Sequence, residues 1–290
     1  MSNGRRRAAV RPGGRLLGTA LGAVLVTMLA ACSAGAPSLR TATPEPSAVT
    51  SSPGARTAPD PAALAAAART AGAVATSGEV SVTVAAVTMP VAVAPHDDGS
   101  VALTITVAAR GGSDLGTASH PVTAVIAAPP GLRFAARTDR SIVVLGATGA
   151  VVGALLPVVA VDGAGARLGA ELAVRGSDDT VLDVRVEPGS GGAATLVFGA
   201  TALVSARWGE REGGRSLAVV PAHWVRAGSL AAQGALWSAL IAAEPDADSP
   251  TMHDQLTCHA LGAPDKDAWN LEPWRPEVDS FTLVATRCNP

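Results

Sequence analysis

The sequence predicts a mixed fold, an antiparallel β-rich central domain followed by a small disulfide-closed α+β domain at the C-terminus. Three observations point there. Between Gly78 and Ala200, short runs of Val, Ile, Thr and Leu recur between Gly, Pro and Asp punctuation, the pattern of many short strands joined by turns. All five tryptophans and three of the five histidines fall in the last 83 residues, a composition step that marks a second domain. Two of the three cysteines, Cys258 and Cys288, also lie there.

The chain opens on five arginines without an acid, Arg5, Arg6, Arg7, Arg11 and Arg15, followed by an uncharged apolar run from Leu16 to Ala31. A basic head and an apolar run of this length form a secretory signal peptide, expected over residues 1–31. The run ends in Leu29-Ala30-Ala31-Cys32. This tetrapeptide resembles the lipobox of bacterial lipoproteins, which implies a lipid on Cys32 and a protein held at the outer face of the cytoplasmic membrane. Two or more acyl chains anchor stably where one binds only marginally. Ala8 and Ala9 follow the arginine run where a twin-arginine signal prefers bulkier residues, so ordinary export is expected.

Without its signal the chain keeps 17 basic residues against 24 acidic ones, a formal charge of −7, and its 259 residues suffice for one large or two modest domains. That acidity argues against a nucleic-acid partner. Residues 32–77 are rich in Pro, Ser, Thr and Ala and read as a flexible tether. Near its end, Asp60 as cap and Pro61 in the first turn suggest a short helix to Ala71.

The β-rich domain is expected over residues 78–203. Its strand candidates are Val80–Val87, Val101–Ala108, Val122–Ala127, Ile142–Leu145, Val151–Leu156, Leu172–Val174 and Val181–Val186. Ser141–Val161 carries no charge for 21 residues, long enough for a membrane span. Gly146, Gly149, Gly153 and Pro157 break it, so it reads as a buried hairpin.

The Trp-rich domain is expected over residues 204–290. Val204–Trp208 and Ser216–Val220 flank a glycine-rich turn and read as a hairpin. A helix follows from Ser229 to about Ala243, with Leu230, Gly234, Trp237, Leu240 and Ile241 on one face. Ser249 caps a second helix. A last strand is expected near Phe281–Ala285. In an oxidising compartment the pair Cys258 and Cys288 is expected to form a disulfide, worth about 3.6 kcal/mol for a loop of about 30 residues.

Gly214-Arg215-Ser216-Leu217, Trp237, Met252-His253-Asp254-Gln255, Cys258-His259, the block Trp269-Asn270-Leu271-Glu272-Pro273-Trp274-Arg275-Pro276 and the ending Cys288-Asn289-Pro290 together resemble an uncharacterised C-terminal domain of secreted actinobacterial proteins. The resemblance covers residues 205–290 and implies export. It brings no known activity and no catalytic residue.

Two function classes compete. As a binding module, the domain would use His259, Trp269, Glu272, Trp274 and Arg275, with the tryptophans stacking on a cell-wall glycan or clamping a protein partner and Arg275 adding a cation–π contact. As a small secreted hydrolase, it would use His223, His259 and a carboxylate for acid–base chemistry. No Gly-x-Ser-x-Gly, Ser-x-x-Lys or His-Glu-x-x-His motif occurs, and the spacing of His253 and His259 matches no metal-ligand pattern. The sequence therefore favours binding, with no cofactor or metal expected.

Overall fold

The computed structural model describes residues 60–88, 90–109 and 120–290. Cys32 and the signal region lie outside them. Helix α1 (Pro61–Ala71) starts where the sequence places it, with the Asp60 carboxylate accepting the amide of Ala62 and Pro61 in the first turn. Its buried stripe, Leu64, Ala65 and Ala68, packs on Ala85, Val125, Ala127 and Val181. Residues 60–77 therefore belong to the folded part, not to the tether expected there. Strand β1 (Ala73–Ser77) pairs with β2 (Val80–Ala86). Its small residues gave little strand signal.

Two antiparallel sheets follow. The first has the order β1-β2-β5-β12-β11, with β5 (Val122–Ala127), β12 (Val181–Val186) and β11 (Ala170–Arg175). The second runs β10-β9-β13-β8-β7-β6, built from β6 (Arg133–Ala136), β7 (Ile142–Leu145), β8 (Val151–Leu155), β9 (Val159–Asp162), β10 (Arg167–Leu168) and β13 (Gly192–Gly199). Strand β13 also pairs with β4 (Val101–Val107), which pairs with β3 (Ala92–Pro95). Val84, Ile126, Leu182 and Val184 of the first sheet share one core with Leu103, Ile105, Leu155, Leu196 and Phe198 of the second. This is sandwich packing, with the core between the inner faces of two sheets.

The uncharged stretch Ser141–Val161 is the expected hairpin, β7 and β8 paired antiparallel. No described helix is long and apolar enough to cross a membrane. The absence of charge has a different cause. Ile142 and Val144 face the sandwich core, while Val143 and Leu145 face a second core. A strand buried on both faces has no room for polar alternation.

That second core belongs mainly to the C-terminal region. Strands β14 (Leu203–Arg211) and β15 (Gly214–Pro221) form a hairpin, and β16 (Trp269–Leu271) pairs with β15. The turn is only Glu212-Gly213, with φ of 53° and 84°, so the strands run further than expected. Helices α2 (Leu230–Ala243), α3 (Pro250–Gly262) and α4 (Ser280–Ala285) complete it. Ser229 and Ser249 cap α2 and α3 through their hydroxyls.

Three expectations change here. The expected strand near Phe281–Ala285 is helix α4, because Asp279 caps it through the amide and hydroxyl of Thr282. The β-branched residues had suggested a strand. On α2 the buried residues are Ala231, Ala232, Gln233, Ala235, Leu236 and Leu240, while Leu230 is exposed. The helix is wedged between Val143, Leu145 and Ala154 on one side and Leu217, Val219, Met252 and Leu256 on another, so no single stripe describes it. Finally, the composition step near residue 203 does not divide the packing. Val143, Leu145 and Ala154 lie in the C-terminal core, and the described residues fall in one compact unit.

Polar contacts bind the two regions as well. Asp139 and Ser141, at the turn before β7, reach the start of α2: Asp139 accepts the amide of Leu230 at 2.7 Å and Ser141 Oγ that of Ala231 at 3.0 Å. Asp98, at the turn before β4, accepts the amide of Trp224 at 2.8 Å in the 3₁₀ turn His223–Ala227. Both turns have the spacing Asp-x-Ser, with Gly99 and Arg140 between at positive φ.

Candidate functional site

The Trp269–Pro276 block is positioned from both sides. Register with β15 sets Trp269 opposite Val219 and Leu271 opposite Leu217, placing both in the core. Pro273 has no amide donor and ends the strand. Gln255 of α3 substitutes for a strand partner: its side chain accepts the amide of Glu272 and donates to its carbonyl, each at 2.9 Å.

Glu272 is buried, and its carboxylate accepts Nε of Arg275 at 2.7 Å. The same guanidinium reaches Glu212 on the β14–β15 turn and donates to the carbonyl of Pro290 at 3.1 Å. Burial acts to lower the Arg275 pKa, and its bonds to Glu272 and Glu212 outweigh this and raise it. Arg275 therefore stays a fixed cation.

Its guanidinium carbon lies 4.3 Å from the ring centroid of Trp274. Trp274 is 43% exposed, whereas the Arg275 side chain is only 11% exposed. The ring also rests on Gly214, where a Cβ would lie 2.2 Å from the indole nitrogen. Of the two tryptophans expected to meet a ligand, Trp269 is instead closed in the core, and only Trp274 is a supported, half-open ring.

His259 is placed differently from a catalytic group. It is buried in α3 beside Trp269, with ring centroids 6.4 Å apart and planes at 16°. Its Nε2 lies 3.2 Å from the carbonyl oxygen of Asn270. A carbonyl only accepts, so Nε2 carries the proton and Nδ1 is left buried without a partner. Burial is the main cause that pushes its pKa down to about 4, aided by Lys266 and Arg211 and opposed by the bond to Asn270. The imidazole is neutral at physiological pH. The expected disulfide is present, joining Cys258 of α3 to Cys288 beyond α4 with Cα atoms 5.5 Å apart.

His223 is elsewhere, 90% exposed on the rim of an open groove of about 620 Å³ between the sandwich and the C-terminal region. His96, Asp98, Arg226, Asp265 and Asp267 share that rim. His223 Nδ1 stands 4.0 Å from Asp98 Oδ2. Burial raises the Asp98 pKa, but bonds from Ser100 and the Trp224 amide, together with His96, bring it below the ordinary value. His96 Nδ1 lies 3.0 Å from Ser100 Oγ, yet that hydroxyl gives its proton to Asp98 at 2.6 Å. A serine nucleophile directs its proton to the imidazole, so this is turn chemistry and not an activated serine. The groove was not legible in the sequence, because residues from 96 to 267 meet there only through the fold.

Among the described residues, no group of three or more His, Cys, Asp or Glu could hold a metal ion. His253 instead meets the edge of Trp237, ring centroids 4.8 Å apart.

Residues 203–290 match the model of a family described as a protein of unknown function, DUF2599. The chain carries a DUF2599 domain there. Its start agrees with the composition step, and it contains His223, His259, Trp269, Glu272, Trp274, Arg275 and both bonded cysteines. Uncharacterised proteins of Mycobacterium tuberculosis and Mycobacterium bovis are each 40% identical over 93 residues, 29% of this chain and 61% of theirs. One from Mycobacterium leprae is 40% identical over 65 residues, 21% of this chain and 53% of its own. The chain thus spans about six-tenths or less of the length of these relatives. No solved structure matches.

Proposed function

We propose that this chain is a lipoprotein held through Cys32 at the outer face of the cytoplasmic membrane, and that its DUF2599 domain works by binding an envelope component. One observation carries the binding reading: the half-open ring of Trp274. Its position is fixed from below by Gly214 and by an arginine that is itself held by two carboxylates and a carbonyl. A large aromatic kept exposed and rigid loses little entropy when a ligand stacks on it. The partner is a cell-wall glycan or a protein.

The test is sedimentation of the full chain with purified cell wall. Trp274→Ala is expected to lower the bound fraction at least fivefold with an unchanged melting temperature. Gly214→Val, which keeps the indole but pushes it off its seat, is expected to do the same. Undiminished binding by both variants would remove the reading. Detergent-phase partitioning tests the anchor, since Cys32→Ala is expected to move the protein to the aqueous phase.

The second reading, a hydrolase working through His223 and a carboxylate, is favoured by the approach of His223 to Asp98. Hydrolysis of a phosphodiester or glycoside by the full chain, lost in His223→Ala, would carry it.

A further inference from the structure

The strand register of the DUF2599 hairpin gives Trp274 specific surroundings. Pairing of Glu210 with Arg215, Trp208 with Leu217 and Ala206 with Val219 puts those residues on the core face. The opposite face therefore carries Arg207, Gly209 and Arg211 from β14 and Gly214, Ser216 and Ala218 from β15. Trp274 lies on this outer face, seated on Gly214, and Arg211 stands directly opposite Gly214 in the ladder. A side chain at Gly209 would meet nothing within 4 Å.

Its polar groups point to a ligand class. The charged residues that β14 places on this face are both arginines, on a chain whose formal charge is negative. Arg207 is exposed and has no ion-pair partner among the described residues, and Arg211 has only a 3.7 Å contact with Glu212 in which both side chains are half-exposed. Of the nearby acids, Glu272 and Glu212 are both engaged by Arg275, and Glu210 belongs to the opposite face of the hairpin. Ser216 belongs to the same face. It is 5% exposed, and its hydroxyl has no hydrogen-bond partner. Arg207 and Arg211 are four residues apart, roughly 13 Å along an extended strand, a span of two to three sugar rings. Trp274 already has its cation–π partner in Arg275, so the indole does not call for a cationic ligand.

We propose that this face binds an anionic glycan, one sugar ring stacking on Trp274 and carboxylate or phosphate groups pairing with Arg211 and Arg207. The inference rests on the Trp274 reading and adds the charge of the ligand. Guanidinium groups pair bidentately with such anions, and the exposed pairing is sensitive to salt.

The test is titration of the full chain with two soluble probes, galacturonate tetramer and neutral maltotetraose, at low and high salt. The galacturonate tetramer is expected to bind at least tenfold more tightly at low salt. Arg207→Ala/Arg211→Ala is expected to remove that advantage and its salt dependence while leaving maltotetraose binding unchanged, and Trp274→Ala to weaken both sugars. Equal affinity for the two sugars, or an unaltered advantage in the double arginine variant, overturns the anionic ligand, and the Trp274 reading stands as long as Trp274→Ala still weakens binding. If Trp274→Ala changes neither, both ideas fall. Binding to neither sugar, or to phosphatidylglycerol vesicles in place of the tetramer, also overturns the glycan assignment.

Discussion

The start of helix α2 offers the sharpest test of how the two regions hold together. An α-helix leaves its first amides without intrahelical partners. Here three of them are met by side chains: Leu230 by Asp139, Ala231 by Ser141 and Ala232 by Ser229. Two of the three acceptors come from the sandwich. Asp139 also fixes Ser141, accepting its amide at 3.1 Å and its hydroxyl at 2.6 Å. Asp139→Ala thus removes one cap outright and frees the second. Loss of a capping side chain costs about 1 kcal/mol, and loss of a carboxylate at a helix N-terminus about 0.3–1 kcal/mol more. The expected destabilisation is about 1.5–2 kcal/mol, with Asp139→Asn losing about half of that. Burial raises the Asp139 pKa, but its bonds to Ser141 and Leu230 outweigh this and lower it. A depressed carboxyl stabilises the fold above its unfolded value, and that stability is lost as pH falls through the lower folded value. Urea unfolding at pH 7 and pH 3 is the assay, with the m-value checked for constancy. The advantage of the wild type over Asp139→Ala is expected to be smaller at the lower pH. A difference below about 0.5 kcal/mol at pH 7 would refute the capping argument.

The other predictions concern the C-terminal core and its boundary. Trp269→Ala is expected to cost about 3–5 kcal/mol in the same urea assay, as a truncation of a fully buried ring. The His259 imidazole is expected to keep constant NMR shifts from pH 8 down to about pH 5.5 and to titrate only near pH 4. Between pH 6.5 and 4 the unfolded chain takes up a proton that folded His259 refuses, so this group lowers stability as pH falls through that window. A fragment of residues 203–290 alone is expected to melt well below the full chain, because α2 loses both its cover from β7 and β8 and two of its three caps. Equal melting temperatures would show that the DUF2599 domain folds independently.

Much of the sandwich was legible because strands bounded by turn residues reveal themselves. Val122–Ala127, Ile142–Leu145 and Val181–Val186 run between the limits their residues suggest. Strands made of small or half-charged residues did not, such as Ala73–Ser77 and Arg133–Ala136, since their pairing comes from neighbours and not from local propensity. Helix α4 is not legible because Thr282 and Val284 are β-branched, while its Asp279 cap acts only once the helix forms. The two tryptophans of the block were separable, since Leu271 shares a strand face with Trp269 while Trp274 adjoins an arginine. The burial of His259 was not, because a lone histidine on α3 carries no local sign of what packs over it.

The boundary near residue 203 shows why composition and packing divide this chain differently. Composition follows ancestry: the DUF2599 region has its own tryptophans, cysteines and histidines, and residues 203–290 match as a unit. Packing follows burial. Helix α2 is rich in alanine, whose small side chain lets a helix approach a sheet closely but covers little area. Such a helix gains enough burial only if it is enclosed, and β7 and β8 supply one wall with Val143, Leu145 and Ala154. That wall in turn must be apolar on both faces, which accounts for the lack of charge in β7 and β8. The same contact brings Asp139 and Ser141 to the start of α2, where they accept the amides of Leu230 and Ala231. The apolar run, the alanine-rich helix and the Asp-x-Ser turn are therefore three consequences of one contact.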